Sequence, residues 1–447
     1  MNSKAFPYQR EGAEFLTQNV CAGLFDEPGL GKTAQTIFAL DRLALTRGVI
    51  VCPAAVRNVW PREIAKFSDR PRKVRIGKSS DDLNMWLREK FDILVTSYEL
   101  ATTWKKELGF DLREFTVFDE AHKLKNRQSQ RAKAALGQYS DGKHGYARWG
   151  AYTWFLTGTP MANDPSDIYT FLRYAGATTL SWSSFCARYF IAKDQYGSRW
   201  KPRPECVEEL RLKLRGVSLR RTKAQAGVDL PSIWVTTQEI EGDTREITAL
   251  LREHPGLDRS IIDAIDKGGL KFIDAAHSTT LRRLVGEAKA PVFAKQLVEE
   301  IEGGLGKVVV FFAHTRPLEI VEQILEAAGV KTVRVDGQTS SDTARGKAVE
   351  AFQSDPDVKV FLGNIVAAGE GLTLTAASEI VMLESSWVPA ANAQAIMRVH
   401  RIGQQRGVHA RFISLAASID ETVAKTVADK TAAITAVQGL DNQNAFA

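Results

Sequence analysis

The chain has 447 residues, of which 44% are hydrophobic and 25% are charged. This length and composition are typical of a globular protein of roughly two to three domains and exclude a disordered chain, a collagen-like fibre and a small disulfide-stapled scaffold. The 59 Lys and Arg residues exceed the 53 Asp and Glu residues, giving a net charge of +6, a mild excess that suits a polyanionic partner without requiring one.

Cysteine spacing and hydropathy bear on the compartment of the protein. The four cysteines form no C-x-x-C pair and lie at no short spacing from a histidine, so we expect reduced thiols and no zinc site. The first residues lack the apolar core of a signal peptide, and no stretch approaches about 18 uninterrupted apolar residues. We therefore expect an intracellular protein with no membrane partner.

Predicted strands and helices alternate in the first part of the chain. This alternation predicts an α/β fold, with a parallel sheet covered by helices on both faces. The predicted helices include Thr33–Thr46 and Pro61–Phe67. The predicted strands are Ala22–Phe25, Val49–Cys52, Ile93–Thr96, Phe115–Phe118 and Trp154–Leu156.

The same alternation resumes after a mainly helical stretch from about residue 164 to 300, and it indicates a second α/β lobe. We predict a first lobe at 1–230 with a short helical insertion after about 164, a mainly helical linker or insertion at 231–300, and a second lobe at 301–447. The second lobe ends in a predicted helix, Ile419–Val437. Its predicted strands are Lys307–Phe312, Thr332–Val335, Val358–Leu362, Glu379–Leu383 and Ala410–Leu415.

The segment DEPGLGKT at 26–33 stands between the first predicted strand and a helix. Gly29, Leu30 and Gly31 give a tight loop whose backbone N–H groups face phosphate oxygens at a helix N-terminus. Lys32 supplies a charge for the β- and γ-phosphates, and the Thr33 hydroxyl can ligate Mg²⁺. Asp26 stands where the phosphate-loop pattern has its first glycine, and a bare G-K-T also occurs by chance. The strand–loop–helix context favours a nucleotide-binding loop.

Two carboxylates, Asp119 and Glu120, follow the predicted strand Phe115–Phe118. Open α/β sheets bind ligands at the carboxyl ends of their strands. Asp119 is therefore a candidate Mg²⁺ ligand, and Glu120 is a candidate for polarising the attacking water in phosphoryl transfer. The alternative is that the two carboxylates cap the next helix.

Gln394, Arg398 and Arg401 are spaced four and then three residues apart, which would place them on one face of a helix. Such a face suits a polyanion, and an arginine finger acts on the γ-phosphate. The alternative is an exposed basic helix face making surface ion pairs. A second basic cluster, at 211–223, is either a solvated helix face or a phosphate contact, and from it we select Arg220 and Arg221 as candidate DNA contacts.

These motifs occur together in a characteristic order. Gln9, the DEPGLGKT loop, the DEAH segment at 119–122, L-T-G-T-P at 156–160 and Q-x-x-x-R-x-H-R-I-G-Q at 394–404 resemble the motors of helicase superfamily 2. The closing R-x-H-R-I-G-Q with Trp387-x-Pro389, and L-R-R-T-K at 219–223 before Leu230, resemble the Snf2 (SWI2/SNF2) family. The resemblance runs from about Tyr8 to about Lys430.

The resemblance implies two RecA-like parallel-sheet lobes in tandem, with ATP in the cleft, a mainly helical segment between them and a C-terminal helical brace. It implies that Gln9 reads adenine and that Gly369 and Gly371 contact the nucleotide. Thr157 and Thr159 would couple hydrolysis to lobe movement, with His122 as a hydrogen-bonding link to them. Gln394, Arg398 and Arg401 would form the sensor and arginine-finger motif.

The resemblance also implies DNA contacts in both lobes. The residues that match DNA-contacting motifs, or that we add to them, are Pro53, Thr96, Ser97, Tyr98, His314, Thr315, Trp387, Arg220 and Arg221. Gly363–Asn364 stands where the family usually has a Ser/Thr pair. This difference from the family pattern affects the expected strength of DNA binding and not the expected ATP hydrolysis.

The function implied is a DNA-dependent ATPase that uses ATP and Mg²⁺ and translocates on double-stranded or forked DNA. The compact chain resembles the annealing-helicase and fork-remodelling branch, and we expect a monomer from a prokaryote or virus, in the cytoplasm or nucleoid. One alternative is a strand-separating helicase acting on single-stranded DNA or RNA. Another alternative is a nucleic-acid-binding module whose conformation is switched by ATP with little hydrolysis. The intact ATPase residues argue against this alternative.

Overall fold

The computed structural model describes residues 5–138, 143–158, 160–161, 165–192, 200–228, 230–267, 275–339, 342–365 and 372–437. The chain divides into two compact units. The first unit runs through Val228, and the second unit covers Asp229–Val437. Thr159, Gly369 and Gly371, three of the predicted site residues, lie outside the described residues.

The described part of the first unit forms a seven-stranded parallel sheet with two short antiparallel pairs beside it. The strands are β1 (Cys21–Leu24), β2 (Gly48–Cys52), β3 (Val74–Ile76), β4 (Ile93–Ser97), β5 (Arg113–Asp119), β6 (Gly137–Gln138), β7 (Lys143–His144), β8 (Gly150–Leu156), β9 (Phe190–Ala192), β10 (Trp200–Pro202) and β11 (Ser218–Leu219). The sheet order is β11-β1-β8-β5-β2-β4-β3, and the antiparallel pairs are β6–β7 and β9–β10. The α-helices are α1 (Pro7–Gln18), α2 (Lys32–Arg42), α3 (Val59–Phe67), α4 (Ser80–Leu87), α5 (Tyr98–Thr103), α6 (Lys105–Leu108), α7 (Gln130–Leu136), α8 (Tyr169–Tyr174), α9 (Trp182–Tyr189) and α10 (Val207–Arg215).

Both faces of this sheet are covered by apolar side chains. In β2, Val49 and Val51 belong to one buried cluster, while Ile50 and Cys52 belong to another. Successive side chains of a strand point to opposite faces, so two clusters mean two covered faces. This is why the central strands read as continuous apolar runs in the sequence.

Parallel pairing sets the place of the candidate site. β8 pairs with β1 on one side and with β5 on the other. The segments that follow Leu24, Asp119 and Leu156 therefore leave the same edge of the sheet from three adjacent strands. This edge, formed by the carboxyl ends of the strands, is where open α/β sheets bind ligands.

The described part of the second unit forms a six-stranded parallel sheet in the order β12-β17-β16-β13-β15-β14. Its strands are β12 (Ile233–Ile240), β13 (Val308–Phe312), β14 (Lys331–Val335), β15 (Val358–Asn364), β16 (Glu379–Met382) and β17 (Val408–Leu415). Its α-helices are α11 (Arg245–Glu253), α12 (Leu257–Lys267), α13 (Ala275–Glu302), α14 (Thr315–Ala327), α15 (Asp342–Ser354), α16 (Pro389–Ile396) and α17 (Ile419–Val437).

The predicted fold class is confirmed, since each unit is a parallel sheet with helices. The described residues of 231–300 are mainly helical, but they also contribute the strand β12, which pairs with β17 along its whole length. β12 is an edge strand with a largely exposed, polar stretch at Thr236–Glu239, so it lacks the apolar run of a central strand. This segment is therefore more than a linker. No helix among the residues described is long and apolar enough to cross a membrane.

Candidate active site

The predicted phosphate loop follows β1 and ends where α2 begins. Gly31 immediately precedes α2 and has φ of 70°, in the left-handed region that favours glycine. A Cβ atom there would lie 2.5 Å from Nε2 of Gln9. The left-handed backbone therefore favours glycine at position 31, and a side chain there would also displace the amide group of Gln9.

Lys32 is the first residue of α2 and its ammonium group turns back over the loop. Its Nζ donates to the carbonyl oxygens of Asp26 (2.7 Å) and Glu27 (3.2 Å). Burial lowers the pKa of Lys32, while the negative charges of Glu120, Asp26 and Asp119 oppose that shift. The lysine charge is thus held at the helix N-terminus, where Thr33 also lies, in the arrangement that suits phosphate.

Gln9 lies in the first turn of α1 beside the loop. Its Oε1 accepts from the backbone N–H of Phe6 at 3.2 Å, and its Nε2 lies 3.5 Å from the carbonyl oxygen of Leu30. Gln35, one turn into α2, donates to the same carbonyl at 3.0 Å. The structure therefore places Gln9 against the phosphate loop, and its role in reading adenine stays a prediction.

Asp26, at the position of the missing first glycine, is fully buried. Its Oδ2 accepts from Nη2 of Arg221 at 2.6 Å and from Nε2 of Gln35 at 3.0 Å. Its Oδ1 accepts from the backbone N–H of Arg221 at 3.0 Å and from Nε at 3.2 Å. Two-pronged pairing of a guanidinium with a carboxylate is a strong, charge-assisted interaction. The carboxylate thus anchors the loop from beneath.

The two arginines expected to contact DNA lie instead against this loop. Arg221 is 8% exposed and holds Asp26. Arg220 donates from Nη1 to the carbonyl oxygens of Phe25 (3.2 Å) and Gly158 (3.3 Å), and burial lowers its pKa. Both guanidinium groups brace the phosphate loop, so the structure corrects our expectation that they face DNA.

Asp119 closes β5, and its carboxylate is held by a tryptophan. Oδ2 of Asp119 accepts from the indole Nε1 of Trp60 at 3.0 Å, and its backbone carbonyl accepts from the Tyr98 hydroxyl at 2.8 Å. Burial and the neighbouring Glu120 carboxylate raise the pKa of Asp119 to about 6, against the opposing effects of the Trp60 hydrogen bond and the Lys32 charge. Such a shift is typical of functional carboxylates.

Glu120 follows in a left-handed conformation, with φ of 52°. It precedes the 3₁₀ turn Ala121–Leu124, but its side chain makes no capping hydrogen bond to that turn. Its Oε2 lies 3.2 Å from Nδ1 of His122 instead. Capping does not explain Glu120, and its strained backbone is a feature that clusters at functional sites.

His122 connects the carboxylates with the segment after β8. Its Nδ1 lies 3.2 Å from Oγ1 of the buried Thr157. This is the hydrogen-bonding link that the sequence predicted. No group of three or more metal-ligating side chains occurs among His, Cys, Asp and Glu in the described ranges.

The first-unit residues expected along the DNA backbone are buried. Thr96 is fully buried, Ser97 is 3% exposed, Tyr98 is 1% exposed and Pro53 is also buried. The Ser97 hydroxyl caps α5 by accepting from the backbone N–H of Leu100 at 3.3 Å. Thr96 and Ser97 end β4, which lies between β2 and β3, so these side chains support the sheet edge and the expectation that they contact DNA is corrected.

In the second unit, the expected common helix face is wrong. Gln394 lies in α16, but this helix ends at Ile396, and Arg398 and Arg401 lie in the turns that follow. Nη1 of Arg401 donates to Oγ1 of Thr373 at 2.9 Å, and the Arg398 carbonyl accepts from the backbone N–H of Leu374 at 2.9 Å. Both arginines are thus tied to the segment that begins just after Gly371.

The remaining predicted DNA contacts also lie in the second unit. His314 is the N-cap residue of α14, and Thr315 is the first residue of that helix. Trp387 lies between β16 and α16, with its ring 4.8 Å from the guanidinium carbon of Arg282. His314 and Trp387 are partly accessible, which is compatible with a ligand contact.

Sequence reasoning missed Trp60, Arg221 and Gln35 as residues of this site. Trp60 lies 59 positions before the carboxylate it contacts, and nothing local in the sequence marks that contact. For Arg221 a signal was present, because the buried acid that stands at position 26 needs a basic partner.

Comparison with known proteins agrees with these features. The SNF2-related domain matches residues 8–249, and the helicase conserved C-terminal domain matches residues 293–403. A probable chromatin-remodeling complex ATPase chain of Oryza sativa subsp. japonica is 28% identical over 97% of this chain and 41% of its own length. The DNA annealing helicase and endonuclease ZRANB3 of Homo sapiens is 27% identical over 94% of this chain and 39% of its own length.

A further relative is the SWI/SNF-related matrix-associated actin-dependent regulator of chromatin subfamily A-like protein 1 homolog of Caenorhabditis elegans. It is 26% identical over 96% of this chain and 61% of its own length. The chain thus spans between 39% and 61% of these relatives. They are eukaryotic and give no support to the expected prokaryotic or viral source.

Among solved structures, the Sulfolobus solfataricus SWI2/SNF2 ATPase core in complex with dsDNA matches with 22% identity and a TM-score of 0.46, over 99% of this chain and 96% of that chain. The SNF2-related match covers more than half of the 447 residues and includes both the phosphate loop and the carboxylate pair. The chain therefore belongs to the Snf2 family of helicase-like ATPases.

Proposed function

We propose that this chain is a DNA motor that hydrolyses ATP when DNA binds and translocates on double-stranded DNA. The observation that carries the proposal is the meeting of Lys32, Asp119 and Glu120 at one sheet edge, with His122 bonded to Thr157 beside them. A phosphate cradle, a metal-binding carboxylate and a base are the parts that phosphoryl transfer requires. The hydrogen bond between His122 and Thr157 would couple ATP hydrolysis to movement of the lobes. Thr159 would take part in the same coupling.

The residues present suit ATP and Mg²⁺. The Lys32 ammonium donates to the loop carbonyls of Asp26 and Glu27, and Asp119 with the Thr33 hydroxyl offers the oxygen ligands that Mg²⁺ prefers. When bound, Mg²⁺ neutralises phosphate charge. Glu120 then orients a water molecule and accepts its proton, while Gln9 selects adenine and the Gly29–Gly31 backbone cradles phosphate oxygens.

Second-unit residues complete the proposed machinery. We assign Arg398 and Arg401 to stabilising the charge that develops on the γ-phosphate, and Gln394, Gly369 and Gly371 to nucleotide contact. For DNA we retain His314, Thr315 and Trp387 and drop the buried first-unit side chains. A grip on the sugar–phosphate backbone predicts low sequence specificity and strong salt dependence.

The relatives include a DNA annealing helicase and endonuclease and a probable chromatin-remodeling complex ATPase chain. We propose for this chain ATP-driven work on duplex or forked DNA by a monomer. Fork remodelling, strand annealing and protein displacement would all use the same motor.

The experiment is steady-state ATP hydrolysis at one fixed low salt concentration. The protein is assayed alone and with duplex DNA, single-stranded DNA, a forked DNA and RNA, beside Glu120→Gln. We expect strong stimulation by duplex DNA and almost no turnover by Glu120→Gln. Stimulation only by single strands or RNA would overturn translocation on duplex DNA in favour of an unwinding helicase. No hydrolysis with any nucleic acid would overturn the motor.

A further inference from the structure

Helix α13 of the second unit presents one polar face to the loops at the carboxyl ends of three strands. Arg282, Gly286 and Lys289 are spaced four and three residues apart, so they share one side of this helix. None of them belongs to the motifs that identify the family. Their contacts reach the segments after β13, β16 and β17, two of which carry proposed DNA contacts.

Glu384, just after β16, holds the segment that carries His314. Its Oε2 accepts from the backbone N–H groups of Ala313 (3.1 Å) and His314 (3.0 Å), and its Oε1 lies 2.6 Å from Nδ1 of His314. Glu384 is 5% exposed, so the carboxylate that clamps the His314 segment is shielded from water.

Gly286 allows α13 to approach this clamp. A Cβ atom at position 286 would lie 2.7 Å from the carboxylate carbon of Glu384 and 2.8 Å from Cγ of Pro317. The helix backbone therefore packs directly against Glu384 and against the first turn of α14. Movement of α13 would displace the His314 segment with it.

Arg282, one turn earlier, holds the segment that carries Trp387. Its Nη2 donates to the carbonyl oxygen of Ser385 at 3.1 Å, and its guanidinium carbon lies 4.8 Å from the centre of the Trp387 ring. A planar guanidinium over an indole ring is a favourable cation–π pair. The same side chain thus fixes the backbone and the ring orientation of the loop after β16.

Lys289 anchors this face of α13 to the rest of the unit. It is 2% exposed, and its Nζ donates to Oδ2 of Asp420 at 2.8 Å and to the carbonyl oxygen of Ile413 at 2.7 Å. Asp420 also accepts from the backbone N–H of Leu415 at the end of β17. The helix that carries Arg282 is therefore fixed relative to the sheet.

We propose that Arg282 and Glu384 are positioning residues that hold Trp387 and His314 in the orientation that binds DNA. The inference rests on the proposed function. In addition, the helical segment before β13 orients the proposed DNA contacts of the second unit before DNA binds. It does so through the Arg282 guanidinium and by packing against the Glu384 carboxylate.

The test compares Arg282→Lys with Arg283→Lys. Lysine keeps the charge at position 282 but loses the planar stacking and the forked donor geometry. Arg283 is a matched control, because it pairs with Glu287 on its own helix and is partly exposed. For Arg282→Lys we expect the duplex concentration that half-saturates ATPase stimulation to rise about 3–10-fold, with the KM for ATP and the DNA-free rate unchanged. Arg283→Lys should match wild type.

A double-mutant cycle separates positioning from general stability. Arg282→Lys combined with Trp387→Ala should bind DNA no more weakly than Trp387→Ala alone, because Arg282 acts through that ring. Glu384→Gln with His314→Ala gives a second, independent cycle with the same expectation, should Arg282→Lys fail to fold. Thermal unfolding of each variant checks its fold.

The outcomes are distinguishable. Suppose that duplex DNA stimulates the wild-type protein. The positioning role alone is then overturned if Arg282→Lys has the half-saturating DNA concentration of wild type, or if its effect on DNA binding adds to that of Trp387→Ala. An equal rise in the KM for ATP and in the half-saturating DNA concentration also overturns it, since that pattern reports general destabilisation. Wild-type protein that DNA neither binds nor stimulates overturns the proposed function, and this inference with it.

Discussion

Arg221 and Asp26, which are 195 positions apart in the chain, form a buried ion pair beneath the phosphate loop, with 2.6 Å between Nη2 and Oδ2. Strand β11 makes this possible, because it pairs in parallel with β1 and delivers Arg221 alongside the start of the loop. The last strand of the first unit thereby completes the proposed nucleotide site that the first strand begins.

Removing one partner of this pair should be costly. Arg221→Ala leaves Asp26 buried without its cation, so we expect the free energy of unfolding to fall by about 3–5 kcal/mol, together with loss of ATP binding. The matched control is Arg215→Ala, in the same basic cluster but with a side chain that is 72% exposed. Chemical denaturation and binding of a fluorescent ATP analogue check both. An Arg221→Ala protein of wild-type stability that binds DNA weakly would contradict this role and favour a contact between Arg221 and DNA.

The motifs that sequence analysis located are those whose signal is local. The glycine loop before α2, the carboxylates after β5 and the alternation of strands and helices each occupy a short stretch, so they are predictable from sequence. The Asp26–Arg221 pair and the Trp60 bond to Asp119 join distant stretches, and local patterns carry no information about them. The prediction that one continuous helix carries Gln394, Arg398 and Arg401 is wrong, because α16 ends at Ile396.

A second prediction concerns the bond between His122 and Thr157. Thr157→Val removes the hydroxyl but keeps the branched shape, so we expect ATP binding to persist while DNA stimulation of hydrolysis falls several-fold. Thr157→Ser keeps the hydroxyl and serves as the control, with stimulation close to wild type. The measurement is the ratio of ATPase rates with and without saturating duplex DNA. Equal stimulation of the Val and Ser variants would contradict the coupling role.

The pKa of Asp119, raised to about 6, predicts a pH dependence. As pH falls through about 6, Asp119 gains a proton and ceases to be a good Mg²⁺ ligand, so Mg²⁺-dependent binding of an ATP analogue should weaken. Because the folded-state pKa lies above the ordinary value, ionisation of Asp119 costs folding free energy. This group therefore favours folding more as pH falls from about 6 towards 4.

Trp60 should set the midpoint of that profile. Its indole N–H stabilises the ionised carboxylate, so Trp60→Phe should move the midpoint upward by about one pH unit. Trp86→Phe is the control, since Trp86 is equally buried and bonds to the carbonyl of Asp92 instead. A midpoint that does not move in Trp60→Phe would remove Trp60 from the site.

For Tyr98, the structure and the family resemblance predict different effects of a mutation. The hydroxyl donates to the Asp119 carbonyl, so Tyr98→Phe should lower the free energy of unfolding by about 0.5–1.5 kcal/mol and slow hydrolysis. DNA affinity at fixed salt should stay unchanged, because the side chain is buried. Weaker DNA binding at unchanged stability would show that Tyr98 faces the nucleic acid after all.

The most direct test of a motor on duplex DNA is displacement of a third strand bound in the major groove of a linear duplex. Wild-type protein with ATP should release the third strand at a rate that depends on the length of duplex leading to it. Glu120→Gln, and wild type with a non-hydrolysable ATP analogue, should release none. If wild-type protein hydrolyses ATP on this duplex but leaves the third strand bound, translocation on double-stranded DNA is contradicted.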